Sequence, residues 1–430
     1  MGCDTLVALP PATADGVALF AKNSDRPPRE CQRLVQLPRR RPGRGAPLRC
    51  QWIEIPDVEE TAALIGSQPW WLWGFEHGVN EHRVAIGNET VFAREALEPA
   101  GLLGMDLVRL GLERARTAAE AVDVIGTLLE RHGQGGSGHA DVEWPYHNAF
   151  LVADPTAAWI VETSNRHWVA RAVADIGNVS NGLAIGAAWE RGARDVTEFA
   201  VARGWWPANA GPVDFAAAYA DAEGVPPNLC AERRRRAAAL LETARGRLDP
   251  AALRAILRDH YDGPVHRPRP FDDPHFFSLC MHADPLDNTT AAMVARLPAD
   301  PEAVATTWLC LGSPCVGAFL PCYPEGRLPP SLGVGGRSPD PASPWWRARE
   351  LLSLVERDFA RFAPGVRARW DAFEAALAPE AEEVERAAAA ARRDGRRDEA
   401  AEALTRFMER TVARWMRELE ALVREIGAGA

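Results

Sequence analysis

Cys3 stands almost at the start of a 430-residue chain. A cysteine that becomes the first residue carries its thiol beside its own α-amino group, whose ordinary pKa is ~7.7–8.0. That amine can take the thiol proton and later deliver it to a leaving amine. One residue then supplies nucleophile, general base and general acid, and no histidine is needed. Such a site still requires a group to hold the amine, positive charge near the thiolate, and donors for the oxyanion of the tetrahedral intermediate. The segment Lys22-Asn23-Ser24-Asp25-Arg26 offers groups of these kinds. Asp25 could accept from the α-ammonium, while Lys22 or Arg26 lowers the thiol pKa. The same residues also describe a small strand cysteine and a surface ion pair, and spacing alone does not choose between the two.

The elements around these residues decide whether they meet. Residues 5–9 form a short apolar run stopped by Pro10-Pro11, Asp15-Gly16 is a turn signal, and residues 17–21 form a second apolar run. This pattern predicts a hairpin beginning at Cys3 and returning residues 22–26 to its start. Residues 84–87 and 150–153 are further strand candidates, and 159–162 with 168–170 alternate as a hairpin. Residues 104–131 carry helical periodicity through Leu107, Leu110, Val122, Ile125 and Leu129. Gln134-Gly135-Gly136-Ser137-Gly138 reads as a flexible loop; no strand leads into it and no Lys-Ser/Thr follows, so it is no phosphate cradle. Residues 233–242 and 251–259 read as helices, and 271–323 return to short apolar runs. A Pro/Gly/Ser-rich stretch at 329–344 reads as a linker to a helical segment, whose last helix has an apolar stripe through Trp415, Leu419, Leu422 and Ile426. Residues 387–397 lack such a stripe and are expected to face solvent or fray. The class expected is α+β, with a core over residues 1–335 and a helical extension over 336–430.

Composition removes several kinds of function. A net charge of −10 argues against nucleic acid as a partner, because binding phosphate needs a basic face. No run approaches the ~20 apolar residues of a membrane span, and the first residues lack the basic region of a signal peptide. Cytoplasmic residence is the expectation. Eight cysteines without a Cys-x-x-Cys pair are not a disulfide framework. Cys310, Cys315 and Cys322 lie in apolar surroundings and lack a fourth ligand at finger-like spacing, so they read as small buried hydrophobes. The 15 Trp are read chiefly as core, with Trp70-Trp71-Leu72-Trp73 the densest group.

Residues 3–13, Cys-Asp-Thr-Leu-Val-Ala-Leu-Pro-Pro-Ala-Thr, followed by Lys22-Asn23-Ser24-Asp25-Arg26, closely resemble the opening of the secernins. These stand with the dipeptidases of peptidase family C69 among the N-terminal nucleophile hydrolases. Trp71-Leu72-Trp73-Gly74, Val79-Asn80-Glu81-His82 and Ile86-Gly87-Asn88-Glu89 resemble a second block of that family, and Asn178-Val179-Ser180-Asn181 a third. Cys280-Met281-His282 and the segment from Trp308 to Cys315 resemble later ones, so the likeness runs roughly over residues 3–425.

The resemblance implies a four-layer αββα sandwich of antiparallel sheets. It also implies Cys3 as nucleophile, Asp25 as the holder of its α-amino group, and Lys22 where related amidases carry arginine. Asn181 takes the position of an oxyanion-hole amide and Asn88 that of a second oxyanion donor. Arg233 is chosen as the site arginine, with Arg234, Arg235 and Arg236 as alternatives in register. Arg26, Asn80 and Trp73 are read as substrate-contacting, although Asn80 and Asn181 also suit turns. His82 and His282 are read as packing or supporting residues.

The expected activity is cleavage of a short peptide, most simply a dipeptide, through a thioester, with no metal and no cofactor. An amidase acting on a non-peptide N-acyl substrate, or a catalytically silent interaction protein, are the alternatives. The architecture commonly forms homo-oligomers. Met1 and Gly2 must both be removed before Cys3 can act.

Overall fold

A computed structural model describes residues 2–226, 228–261, 271, 273 and 275–429. Two antiparallel sheets form its centre. In chain order the first strands are β1 (Cys3–Ala8), β2 (Ala18–Arg26), β3 (Gln32–Leu37), β4 (Pro47–Arg49), β5 (Glu54–Pro56), β6 (Leu64–Pro69), β7 (His77–Asn80) and β8 (Ala85–Val91). The later ones are β9 (His147–Ala153), β10 (Ala158–Ser164), β11 (His167–Ala172), β12 (Ile176–Val179), β13 (Arg191–Gly192), β14 (His282–Ala283), β15 (Asp287–Leu297), β16 (Thr307–Leu311) and β17 (Leu320–Cys322). The helices are α1 (Gly104–Arg114), α2 (Ala118–His132), α3 (Val196–Ala202), α4 (Phe215–Tyr219), α5 (Ala231–Ala244), α6 (Pro250–Leu257), α7 (Pro344–Val355), α8 (Phe359–Arg393) and α9 (Arg397–Gly429).

The seven-stranded sheet has the order β12-β1-β2-β15-β16-β17, with β14 on β15. The eight-stranded sheet has the order β13-β11-β10-β9-β8-β7-β6-β3. Strand alternation explains how the layers form. On β1 and β2, Leu6, Ala8, Leu19 and Ala21 pack with Ala237 and Leu241 of α5 and Leu253, Ile256 and Leu257 of α6. The opposite residues, Thr5 and Lys22, meet Glu89 and Gly87 of the second sheet. Helices α1 and α2 cover the far face of that sheet. The result is the αββα sandwich that the family resemblance implied. Gly87 sits at the close approach of the sheets, where a Cβ would lie 2.5 Å from Lys22 Cδ.

Local signals set the element ends. The helical stretch expected over 104–131 divides where Thr117 accepts from the backbone N–H of Glu120, capping α2. A β-bulge between Thr289 and Ala291 shifts the register of β15 against β2. All eight cysteines are unbridged, and among the described residues no helix is long and apolar enough to cross a membrane.

The segment expected to be an extension shares the core of the sandwich. Trp345 and Trp370 are each 1% exposed and belong to the same apolar cluster as Val7 and Phe20. The indole N–H of Trp345 donates to Thr290 O at 2.8 Å, and that of Trp370 to Val316 O at 2.8 Å. Residues 387–393 correct the expectation of a frayed stretch. They continue α8, and Ala388, Ala389 and Ala391 are buried. Small alanine side chains let helices approach closely, so burial here needs no bulky apolar stripe.

Removing residues 336–430 would therefore uncover apolar surface and leave Thr290 without its indole partner. A 335-residue fragment is expected to be aggregated, or to lose cooperative unfolding by circular dichroism. Trp370→Ala in the full chain should cost about 3–5 kcal/mol in chemical denaturation.

Candidate active site

The hairpin registers Cys3 opposite Ser24 and Asp4 opposite Asn23, which brings Asp25 beside the start of β1. On the other side β12 pairs Thr5 with Val179, and the chain leaving β12 carries Ser180 and Asn181 past Cys3. Helix α5 then presents a buried stripe of Arg233, Ala237 and Leu241. Four-residue spacing along a helix puts these on one face, which is why Arg233 enters and its three arginine neighbours do not. Arg236 instead pairs with Asp259 near the surface.

Every component is buried: Cys3 is 4% exposed, and Asp25, Asn181 and Arg233 are fully enclosed. The Cys3 backbone N–H donates to Asn181 Oδ1 at 2.9 Å. Arg233 Nη1 donates to the same oxygen at 2.7 Å, while Asn181 Nδ2 donates to Thr90 O at 2.9 Å. Two donors on one atom fix the amide with its oxygen toward Cys3. Arg233 Nη2 donates to Asp25 Oδ2 at 3.1 Å and also pairs with Asp4. The Thr289 hydroxyl donates to the other Asp25 oxygen at 2.6 Å. The bulge after Thr289, held by Trp345 at Thr290 O, sets that hydroxyl in place. Cys3 Sγ accepts from the Asp25 backbone N–H at 3.4 Å.

Burial dominates the electrostatics. It pushes the Cys3 thiol up to about 12 against the pull of Lys22. Asp25 is raised to about 8 and Asp4 to about 6, in each case by burial opposed by Arg233. Lys22 is buried between the sheets, with Glu76 Oε2 at 3.8 Å. Glu89, which accepts from the Thr5 hydroxyl, is raised to about 8 by burial.

Gly2 occupies the space in front of this cluster. A Cβ on it would lie 2.6 Å from Met281 Cε, 2.8 Å from Arg233 Nη1 and 3.3 Å from Asn181 Oδ1. A residue with a side chain does not fit there without displacing them.

Cys3, Asp25, Asn181 and Arg233 are thus brought together, with Lys22 beneath them. Other expected site residues stand elsewhere. Asn88 lies on the α1 face of β8, opposite to Gly87 and Glu89, and its Nδ2 donates to Asn148 Oδ1 at 2.9 Å. Strand alternation turns it away from the sheet interface where Thr5 and Lys22 project. Asn80 stands at a turn: its Nδ2 donates to Leu112 O and Ala115 O, closing the end of α1, and its Oδ1 accepts from His82 N and Val84 N. Trp73 packs toward α1, with the Arg109 guanidinium 3.9 Å from its ring centre. Arg26 is buried and engaged by Glu30 at 2.7 Å, Gly138 O at 2.9 Å and Tyr146 at 3.3 Å. Asp4, Thr289 and Met281 join the site without having been singled out. Asp4 had a readable signal, since it alternates with Cys3 onto the face that α5 covers. A cleft of about 550 Å³ lies against β12 and is lined by Glu162, Arg171, Arg234 and Arg235; Cys3 is not among its walls.

Removing the guanidinium in Arg233→Gln would leave Asp4 and Asp25 buried without their cation. A loss of about 3–5 kcal/mol is expected in the Cys3→Ala background. Both carboxyls are raised above their unfolded values, so the folded chain holds extra protons between the ordinary carboxylate range and about pH 8. Stability of Cys3→Ala should therefore fall as pH rises through that window. The loss in Arg233→Gln should be smallest at the acid end, measured by urea unfolding across pH.

The model of Peptidase family C69 matches residues 2–221, half of the chain. Probable dipeptidase A of Streptococcus pyogenes serotype M3 (strain SSI-1) is 28% identical over 199 residues, covering 42% of this chain and 40% of that protein. The protein of the same name from serotype M1 is 27% identical over 197 residues, 42% of this chain and 39% of its own length. The chain thus matches about two fifths of the length of these relatives. Among solved structures, a mutant of conjugated bile acid hydrolase from Clostridium perfringens aligns with a TM-score of 0.41 and 13% identity, covering 71% of this chain and 88% of that one. Penicillin V acylase from Agrobacterium tumefaciens aligns with a TM-score of 0.40 and 13% identity, covering 74% and 86%. With the family match extending from Gly2 through the hairpin and past Asn181, this chain belongs to peptidase family C69.

Proposed function

We propose that the protein hydrolyses the amide bond of a short peptide, most simply a dipeptide, with Cys3 as nucleophile after loss of residues 1 and 2. The observation that carries this reading is the enclosure of the Gly2–Cys3 junction. Cys3 N is tied to Asn181, Gly2 is lodged against Arg233, and the Asp25 carboxylate is fixed by Arg233 and Thr289.

Maturation would begin with attack of Cys3 Sγ on the Gly2 carbonyl carbon. The Gly2–Cys3 C–N bond breaks, the cysteine nitrogen gains a proton, and water hydrolyses the resulting thioester to release the N-terminal residues. What remains is a free α-amine at the position where Asn181 Oδ1 already accepts. The vacated space, bounded by Met281, Arg233 and Asn181, is where a substrate carbonyl would enter. The amine removes the thiol proton, sulfur attacks, and the proton passes to the leaving amine as the thioester forms. Water activated by the same amine completes the cycle.

A base is needed because the buried thiol, pushed up to about 12, carries almost no thiolate at neutral pH. Asn181 presents its oxygen, and Asn88 stands on the far face of β8. Arg233 Nη1 is therefore the donor assigned to negative charge forming in this space. The family membership and the curated relatives named as dipeptidases support a peptide substrate over a non-peptide N-acyl compound.

Intact-mass analysis of the purified full chain should find Cys3 at the N-terminus, whereas Cys3→Ala retains Gly2. Retention of Gly2 in both well-folded proteins would sink the mechanism. Gly2→Val should slow processing at least tenfold by crowding Arg233. In the processed enzyme, Asp25→Asn should lower kcat on dipeptides by roughly 10²-fold or more.

A further inference from the structure

Beyond the site at Cys3, a second cluster forms where three separate parts of the chain meet. His260 follows α6, Cys280 precedes β14, His282 opens β14, and Cys315 follows β16. One ligand atom from each of these residues lies within 4.8 Å of all the others. His282 Nε2 is 3.1 Å from His260 Nε2, 3.2 Å from Cys315 Sγ and 3.5 Å from Cys280 Sγ. Cys280, at a bend just before β14, and His282, which opens it, reach one point.

We infer that His260, Cys280, His282 and Cys315 form a binding site for a divalent transition-metal cation, zinc by the character of its ligands. Two soft thiolates and two imidazoles are the donor set of closed tetrahedral zinc sites. With metal–nitrogen bonds of ~2.0–2.1 Å and metal–sulfur bonds of ~2.3 Å, the edges of such a tetrahedron are roughly 3.3–3.8 Å. The three distances around His282 come within about 0.3 Å of that range. Four groups with lone pairs at this separation repel one another unless protons or a cation lie between them. On binding, the two thiols release their protons and the ion takes their place.

The surroundings suit a structural ion. Cys280, His282 and Cys315 are buried, while the half-buried His260 leaves a way in. The rings of Phe271 and Phe359 lie tilted against His282, with ring centres at 4.4 and 5.8 Å, and Phe359 opens the long helix α8. Four protein ligands leave no open position for a reacting water, so the role assigned is to fasten and not to catalyse. The fastened segment carries Met281, whose backbone N–H donates to Thr289 Oγ1 at 2.9 Å, the same hydroxyl that holds Asp25. The metal would thus brace the wall in front of Gly2, and it does so whether or not Cys3 is a nucleophile.

The test uses the full-length protein, purified under reducing conditions without an affinity metal. Elemental analysis should find about one zinc per chain, as expected for a single closed site. After removal by chelator, titration with cobalt(II) should give the intense visible bands of tetrahedral cobalt–thiolate coordination. Cys315→Ser should abolish the zinc and the bands, and His260→Ala should weaken cobalt binding at least tenfold while circular dichroism shows a folded chain. Chelation should also lower the midpoint of thermal unfolding of the wild type and leave that of Cys315→Ser unchanged. A folded wild type that takes up neither zinc nor cobalt would overturn the assignment. So would a Cys280–Cys315 disulfide in the reduced preparation, or equal metal content in wild type and both variants.

Discussion

The guanidinium of Arg233 is the interaction on which the rest of the site depends. It is fully buried, and it binds Asp4 of β1, Asp25 of β2 and the oxygen of Asn181 after β12. Taking such a cation out of water is unfavourable by several kcal/mol, and the two carboxylates offset that only because the folded sheet delivers both. The arginine therefore works as a test of assembly: α5 can dock with it inward only when three strands are in register. A lysine could not replace it, because a single ammonium lacks the planar fork that reaches three acceptors in different directions.

The same cluster explains why the two faces of β1 carry different chemistry. Cys3, Thr5 and Val7 look toward the second sheet, and Asp4, Leu6 and Ala8 toward α5 and α6. The Cys3 thiol thus lies on one side of a strand and the charges that hold its surroundings on the other. Thr289 extends the network to β15, and Trp345 extends it to α7 through the bulge at Thr290. A helix more than 300 residues away in sequence consequently bears on the orientation of Asp25.

Sequence reasoning reached the local parts of this arrangement. The hairpin of β1 and β2 was legible from turn residues and alternation, and it fixed the proximity of Cys3 and Asp25. The choice of Arg233 came from resemblance; its burial follows from the stripe it shares with Ala237 and Leu241, which four consecutive arginines obscure. Asn181 was placed beside Cys3, but which end of its amide faces inward depends on Thr90 and Arg233, which only the tertiary structure supplies. Asn88 shows the converse: its alternation with Gly87 and Glu89 was readable, yet a block-level likeness does not report which face a residue takes. The surroundings of Asn80 and Trp73 were not readable, because their partners, the carbonyls ending α1 and the Arg109 side chain, lie far along the chain. The cysteines near residue 315 gave no ligand pattern because their partners lie up to 55 residues back, brought close by the tertiary fold.

The sheet order has a consequence for when the site can exist. Strand β2 lies between β1 and β15, so its second edge stays unpaired until the chain has been synthesised through Leu297. Chains grow at ~5–20 residues per second, and contacts of such long sequence separation form late in folding. For many seconds after Cys3 leaves the ribosome, Asp25 has no Thr289 and Thr290 has no Trp345. The surroundings of Asp25 are therefore complete only when Thr289 and Trp345, far along the chain, have joined the sheet.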